Sequence, residues 1–107
     1  MQKNNKSSKR PSIEEMRTLE NLFHSNELNS LEKKTKELIN KYPDFSVLYN
    51  ILGITFQRGK NYNKAIFNFK EAIKIKPDFD KAYNNLGNVL QTLGNFDKAI
   101  INYEKAI

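Results

Sequence analysis

The residues of this chain that could support catalysis are few and scattered. His24 is the single histidine, and a protein metal site needs further ligands at suitable spacing, which the carboxylates around it do not provide. Glu14 and Glu15 are adjacent, so on a helix they point to different sides and cannot act as an acid–base pair. The glycines form no phosphate-binding loop. We therefore expect no enzyme activity, no metal and no cofactor.

Hydrogen-bonding chemistry is better represented, towards the carboxyl end of the chain. Asn88 lies four residues after Asn84 and three residues after Asn85, so on a helix its amide group neighbours both of the others. Each amide offers both donors and acceptors. Such a face can bind the backbone of an extended peptide without demanding a particular side chain. The alternative is a polar face that is merely hydrated.

The composition suits one small helical domain. The chain has 107 residues, of which 38% are hydrophobic and 28% charged, as in ordinary globular proteins. It has no cysteine, which excludes disulfides and thiolate metal sites and favours a reducing compartment. No apolar run approaches the ~20 residues needed to span a membrane, and the amino terminus lacks the apolar segment of a secretory signal. We expect a cytoplasmic protein with no membrane partner.

Positive charge is concentrated at the amino terminus. The formal net charge is +6, and residues 1–11 hold four basic residues and no acid: Lys3, Lys6, Lys9 and Arg10. This segment is too polar to order itself, so we predict a disordered basic tail over 1–11. Contact between the tail and nucleic acid is the alternative. No aromatic residue is interleaved with the charges, and we do not expect a nucleic-acid partner.

The sequence matches itself when it is shifted by 34 residues. Residues 43–45 and 77–79 are both Pro-Asp-Phe, and residues 64–66 and 98–100 are both Lys-Ala-Ile. Internal repeats of this length indicate a stack of similar structural units. A helical hairpin with two apolar faces cannot cover both by itself, so such hairpins must stack on one another.

Each unit contains two helical patterns, with apolar residues at steps of three and four. We predict that Gly59 or Gly94 ends the first helix, where a left-handed backbone is tolerated. Asn61 or Asn95 then follows as the N-cap of the second helix. The second helix ends before Pro77, which cannot continue it.

Glycines inside the first helices need a packing reason, because glycine costs about 1 kcal/mol relative to alanine in a helix. We predict that Gly53 and Gly87 let the second helix of each hairpin approach closely, with Ala65 and Ala99 as the facing small residues. Asp78, next to a proline, is expected to cap the following helix.

Together these residues resemble the tetratricopeptide repeat family, whose units are 34-residue helix–turn–helix hairpins. The unit at 46–79 carries the family's signature at eight positions: Tyr49, Leu52, Gly53, Phe56, Ala65, Phe69, Ala72 and Pro77. The unit at 80–107 carries it as far as the sequence goes: Tyr83, Leu86, Gly87, Leu90, Ala99, Tyr103 and Ala106.

A degenerate first unit precedes these two. Extending the frame backwards gives residues 12–45, where Thr18-Leu19 stands in place of Leu-Gly and Leu31 in place of the first small alanine. Ser12 followed by Glu15 three residues later is a capping box. An unrelated helical hairpin that packs in the same way is the alternative.

The predicted fold is therefore an all-α, right-handed superhelix of about three stacked hairpins. Its organisation is a tail (1–11), a degenerate hairpin (12–45), a full repeat (46–79) and a truncated repeat (80–107). The six helices are paired as 12–25 with 28–42, 45–59 with 61–76, and 79–93 with 95–107.

The resemblance implies a protein-interaction or scaffold module that binds a peptide or partner protein on its concave face, which the first helix of each unit lines. The inward positions of this chain would be Asn50, Ile51, Ile54, Gln57, Arg58, Lys81, Asn84, Asn85, Asn88, Gln91 and Thr92. Asn85 resembles a rung of the asparagine ladder in O-linked N-acetylglucosamine transferases, although Ile51 occupies the preceding rung. The carboxylate clamp of some family members is not expected, because Met16, Glu20 and Ile51 do not fit it.

Two alternatives concern the whole protein. Repeats with a degenerate first unit commonly precede glycosyltransferase or sulfotransferase domains, so the chain could be the front end of a larger enzyme. The last hairpin also leaves apolar residues without a following helix, which favours self-association through this end. These residues are Leu90, Ile100, Tyr103, Ala106 and Ile107.

Overall fold

The computed structural model describes residues 10–107, and the secondary structure of this part of the chain is entirely helical. Six helices follow in order: α1 (Ile13–His24), α2 (Leu28–Lys41), α3 (Ser46–Arg58), α4 (Tyr62–Ile75), α5 (Asp80–Thr92) and α6 (Phe96–Lys105). Each helix lies within its predicted range. Most of the helix ends fall one or two residues inside the predicted boundary, as is usual for frayed helix termini. The predicted all-α class is confirmed. Residues 1–9 of the predicted basic tail lie outside the described part of the chain.

The helices form three consecutive hairpins that stack in chain order. Within the hairpins α1 packs on α2, α3 on α4 and α5 on α6, while α2 packs on α3 and α4 on α5 between them. The first helices α3 and α5 also touch. The described part is accordingly elongated, with extents of 51 × 28 × 19 Å. This is the solenoid arrangement that the 34-residue period predicts.

The core runs through all three hairpins. Leu52, Phe69 and Leu86 belong to its central cluster, and Phe69 is completely buried. The small residues of the repeat signature, Ala65 and Ala72, are also completely buried. Of the predicted structural positions, Gly53, Gly87 and Ala99 are buried, Tyr103 and Ala106 are half-buried, and Pro77 is exposed just beyond α4.

The helix glycines are closely packed, and the atoms nearest to them belong to aromatic rings rather than to the predicted alanines. A Cβ atom on Gly53 would lie 2.5 Å from the ring of Phe69, and one on Gly87 would lie 2.7 Å from the ring of Tyr103. The prediction named Ala65 instead of Phe69, one helical turn away. The aromatic ring, and not the small alanine, occupies the space that the missing Cβ leaves.

The turns inside the three hairpins share one backbone conformation. Asn26, Lys60 and Gly94 have φ values of 57°, 64° and 83°, and they are separated by the 34-residue period of the sequence. The prediction of a left-handed Gly59 is wrong, because its φ is −82° and the next residue takes that role. The left-handed conformation therefore occurs at the same position of every repeat, even where the residue at that position carries a Cβ atom.

Three of the four predicted N-cap residues stand at the start of a helix, and two of these three also make the capping hydrogen bond. Ser12 and Glu15 form both hydrogen bonds of the capping box, at 2.9 and 3.0 Å, and the Asn61 side chain caps α4. Asn95 makes no capping hydrogen bond with its side chain. Asp78 does not cap α5, because the N-cap position falls one residue later; its carboxylate lies 3.5 Å from a lysine ammonium group instead.

Apolar side chains are exposed on the last hairpin. Phe96, Ile100 and Ile101 are between 49% and 60% exposed, and Ile107 is fully exposed. They lie on or next to α6, the last of the six described helices. No helix in residues 10–107 has the length and apolar character required to cross a membrane.

Candidate functional site

The first helices of the second and third hairpins are joined by a pair of asparagines. Asn85 Nδ2 on α5 donates to Asn50 Oδ1 on α3 across 3.0 Å. Asn50 is only 7% exposed, so this hydrogen bond is largely shielded from solvent. An amide group without a hydrogen-bond partner is costly in such an environment. The sequence placed both residues on the inner face but as separate contacts. Their pairing was not predicted.

Several amide groups on this face have unused hydrogen-bonding capacity. The Nδ2 group of Asn50 donates to no protein acceptor within residues 10–107, although the side chain is buried. Asn84 and Lys81 are exposed on α5. An asparagine amide has two donor hydrogens and one acceptor oxygen, so the Asn50–Asn85 pair can accept further partners. We call Asn50, Lys81, Asn84, Asn85 and Asn88 the amide face.

Asn88 and Gln91 are held by the neighbouring helix. The hydroxyl of Tyr103 on α6 lies 2.6 Å from Asn88 Oδ1 and 2.8 Å from Gln91 Oε1. A hydroxyl has one hydrogen to donate, so it serves the two oxygens in alternation. Because both oxygens face Tyr103, the amide donors of Asn88 and Gln91 are left for other acceptors. The sequence offered one signal for this contact, the aromatic position that packs on Gly87.

A largely apolar groove, with Glu20 and His24 at its edge, lies between α1 and α3. Ile51 and Ile54 on α3 line it together with Met16 and Phe23 on α1, and it encloses about 440 Å³. Ile54 was predicted as an inward residue, and the structure places it here. Gln57, also predicted inward, is half-buried one turn further along α3.

Two residues that the sequence assigned to the inner face make hydrogen bonds within the protein instead. The guanidinium of Arg58 stacks 3.9 Å from the centre of the Phe23 ring and donates to the Phe23 carbonyl oxygen at 2.9 Å. It therefore fastens the end of α3 to the turn after α1. Thr92 donates to the Asn88 carbonyl oxygen within its own helix, at 3.0 Å. Neither contact follows from the repeat pattern.

One strongly perturbed carboxylate lies away from this face. Lys41 Nζ is 2.9 Å from Glu15 Oε2, and the Tyr42 hydroxyl donates to Glu15 Oε1 at 2.8 Å. These hydrogen bonds, Lys41 first and then the Ser12 backbone, lower the pKa of Glu15 to about 2. The same contacts with Glu15 raise the pKa of Lys41 and of Tyr42. None of the three changes charge near neutral pH, so the cluster serves to join the start of α1 to the end of α2.

The described residues offer no site for a metal ion. No three His, Asp or Glu side chains within 10–107 are grouped closely enough to hold one. His24 is exposed on α1 and lies 3.9 Å from Glu20, one helical turn away.

The family comparison decides the class of the repeat. A sequence model described as TPR repeat matches residues 53–94, which cover most of the second hairpin and the first helix of the third. Residues 53–94 of this chain therefore belong to the tetratricopeptide repeat family. A search of curated protein sequences found no match.

Solved structures agree with this tetratricopeptide repeat fold. Two structures of MamA superpose with TM-scores of 0.76 and 0.75 at 26% identity, over 79% of this chain. The chain spans about half the length of either MamA chain, 50% and 46%. The TPR2B domain of yeast Sti1, in complex with pHsp70, gives a TM-score of 0.83 at 18% identity, with 87% of this chain and 74% of that chain covered.

A tetratricopeptide domain of nearly the same length is also similar. The second TPR of Spaghetti (RPAP3), bound to the HSP90 peptide SRMEEVD, gives a TM-score of 0.84 at 17% identity. The alignment covers 94% of this chain and 93% of that one. At such identities the likeness establishes the fold of the three hairpins and nothing about the ligand.

Proposed function

We propose that this tetratricopeptide repeat chain is a protein-interaction module that binds an extended peptide segment on its amide face. The observation that carries the proposal is Asn50, a side chain buried at the junction of α3 and α5. Its Oδ1 is paired to Asn85, and its Nδ2 has no acceptor among residues 10–107. A buried amide donor without a partner is costly. A peptide carbonyl oxygen that reaches Asn50 would remove that cost.

The chemistry of the face favours backbone recognition over charge recognition. Amides dominate it, and Lys81 is its single charged residue. Amide groups bind peptide N–H and C=O groups, which every sequence presents. The groove between α1 and α3 adds an apolar surface that suits a large aliphatic or aromatic side chain.

The similar structures support a peptide as the ligand class. The Sti1 domain is bound to pHsp70 and the Spaghetti domain to an HSP90 peptide. That HSP90 peptide is acidic, and recognition of acidic peptide ends relies on several cations. Because this amide face carries one, we expect the chain to bind SRMEEVD weakly and to prefer uncharged segments with an apolar side chain.

The proposal is tested by selecting ligands from a random displayed-peptide library and measuring their affinity by titration calorimetry. Replacing Asn84, Asn85 and Asn88 together with alanine should weaken binding by about tenfold or more, since each lost hydrogen bond contributes about 0.5–1.5 kcal/mol. The matched control replaces three exposed asparagines on second helices with alanine: Asn29, Asn40 and Asn63. Equal losses in the two triple variants, or no loss in the first, would place binding elsewhere.

A further inference from the structure

The second helices form two successive grooves that the 34-residue period makes equivalent. The upstream groove lies between α2 and α4, over the end of α3, and includes Glu32, Phe56 and Lys64. The downstream groove lies between α4 and α6, over the end of α5, and encloses about 500 Å³. The residues that matter in it are Ile66, Lys70, Leu90, Leu93, Lys98 and Ile101. Both grooves are lined by side chains outside the amide face.

In the upstream groove the charged and aromatic side chains contact one another. Lys36 Nζ pairs with Glu32 Oε2 at 2.7 Å and also lies 5.7 Å from the centre of the Phe56 ring. Lys64 Nζ lies 5.4 Å from the same ring centre. Glu32 therefore pairs with Lys36 alone, whereas the Phe56 ring makes cation–π contacts with both ammonium groups.

The downstream groove keeps the two lysines but lacks the groups that serve them. Lys70 and Lys98 are the counterparts of Lys36 and Lys64, whereas Ile66 replaces Glu32 and Leu90 replaces Phe56. In the described part of the chain neither Lys70 nor Lys98 takes part in an ion pair or a cation–π contact. The groove also has exposed apolar residues at its rim, because Leu93 is 50% and Ile101 49% exposed.

We propose that the downstream groove is a second docking site, for an acidic segment of a partner protein. The segment supplies a carboxylate to Lys70, as Glu32 does to its counterpart Lys36 upstream, and the second cation, Lys98, lines the same groove. It also places a large apolar side chain on the surface of Leu90, Leu93 and Ile101. Charge complementarity selects this occupant, since the two cations flank an apolar floor. Exposed apolar surface rimmed by charge is typical of interaction sites.

This site is independent of the amide face in chemistry and in place. The amide face suits uncharged extended backbone, whereas the downstream groove demands a carboxylate next to an apolar side chain. A chain with both sites can hold two partners at once, as a scaffold does.

The first test uses a pair of fluorescein-labelled helical peptides. One has Leu and Phe on one face with Glu residues three or four positions away, and the other has Gln at each Glu position. Fluorescence anisotropy should show the Glu peptide binding roughly fivefold or more tightly at low salt, with the difference reduced at 0.5 M salt because screening weakens exposed charge pairs. Equal affinities of the two peptides would overturn the proposal.

Substitutions of the groove residues test whether the peptide binds in this groove. Lys70→Gln with Lys98→Gln should abolish the advantage of the Glu peptide, while Lys36→Gln with Lys64→Gln in the upstream groove should leave it unchanged. Ile66→Glu with Leu90→Phe should copy the upstream groove and block the peptide. Equal losses from the two lysine pairs would overturn the proposal even if the Ile66→Glu, Leu90→Phe variant fails to fold.

Sedimentation without peptide tests the other candidate for binding in this groove, a second copy of the chain. Dimers that dissociate when Lys70 and Lys98 are both replaced by Gln would assign the groove to self-association and contradict the proposal. The expected result is a sedimentation profile that is the same with and without the two Lys→Gln substitutions, together with binding of the Glu peptide by the unmodified chain.

Discussion

Replacing Gly53 with alanine should destabilise the protein, although alanine is the better helix former. Alanine gains about 1 kcal/mol of helix propensity over glycine. The added Cβ, however, would lie 2.5 Å from the ring of Phe69, a distance that requires movement. Phe69 is completely buried in the central cluster, so its ring has no free space to enter.

The net loss follows from these two opposing contributions. Overpacking a well-packed core costs about 1–3 kcal/mol, and the propensity gain offsets part of it. We expect Gly53→Ala to lower the free energy of unfolding by up to about 2 kcal/mol. Gly87→Ala meets the ring of Tyr103 at 2.7 Å, but that ring is half-buried on the last helix and can shift. Its loss should be smaller.

Gly59→Ala is the matched control for the two packing glycines. The nearest atoms to a Cβ at Gly59 are at 3.6 Å, an ordinary contact, and its φ of −82° is accessible to alanine. This variant should be neutral or more stable by about 0.4–1 kcal/mol, because alanine restricts the unfolded chain.

Urea unfolding followed by circular dichroism measures all three variants. With a slope of about 1–3 kcal/mol per M for small proteins, Gly53→Ala and Gly59→Ala should differ in midpoint by about 1 M. Equal midpoints for these two variants, with unchanged slopes, would refute the packing argument.

Three further predictions address the turn, the charge cluster and the last helix. Lys60→Gly should raise the free energy of unfolding by about 1 kcal/mol, because a left-handed non-glycine residue costs about 1–2 kcal/mol; a lower urea midpoint would contradict it. The pKa of Glu15 is depressed to about 2, so its stabilisation is complete above the ordinary carboxyl value of 4.5 and is lost as pH falls towards 2. Glu15→Gln should therefore lower the urea midpoint at pH 7 but hardly at pH 2, and an equal shift at both would refute the role of the charge. Ile100 and Ile107 should drive self-association of the 107-residue chain, since they are exposed; sedimentation equilibrium should show dimers that Ile100→Lys abolishes, and a clean monomer at high concentration with slow hydrogen exchange in α6 would contradict this.

The repeat period predicted the helices because it carries the core pattern directly. Ala65, Phe69 and Leu86 recur with their counterparts every 34 residues, and a periodic apolar face determines where a helix lies and what it buries. The turns were predicted less well. Local chemistry favoured Gly59 as the left-handed residue, but hairpin register places that conformation at Lys60.

The repeat pattern did not predict the side-chain contacts between helices. The pairing of Asn50 with Asn85 joins residues 35 positions apart, and it depends on how α3 and α5 approach each other. Arg58 was predicted to face a ligand, yet its long side chain reaches Phe23 on another hairpin. A pattern of residue types places a side chain on a helix face, whereas its rotamer and neighbours decide its partner.

The amide resonances of Asn50 and Asn85 test the proposed peptide-binding face most directly. A ¹⁵N-labelled chain would be titrated with a peptide selected from the random library, and the side-chain NH₂ signals followed by NMR. The account predicts that the Asn50 and Asn85 signals shift with the same affinity as the calorimetric titration, while the Asn29 and Asn63 signals stay in place. Saturating peptide that leaves the Asn50 and Asn85 signals unmoved would contradict it.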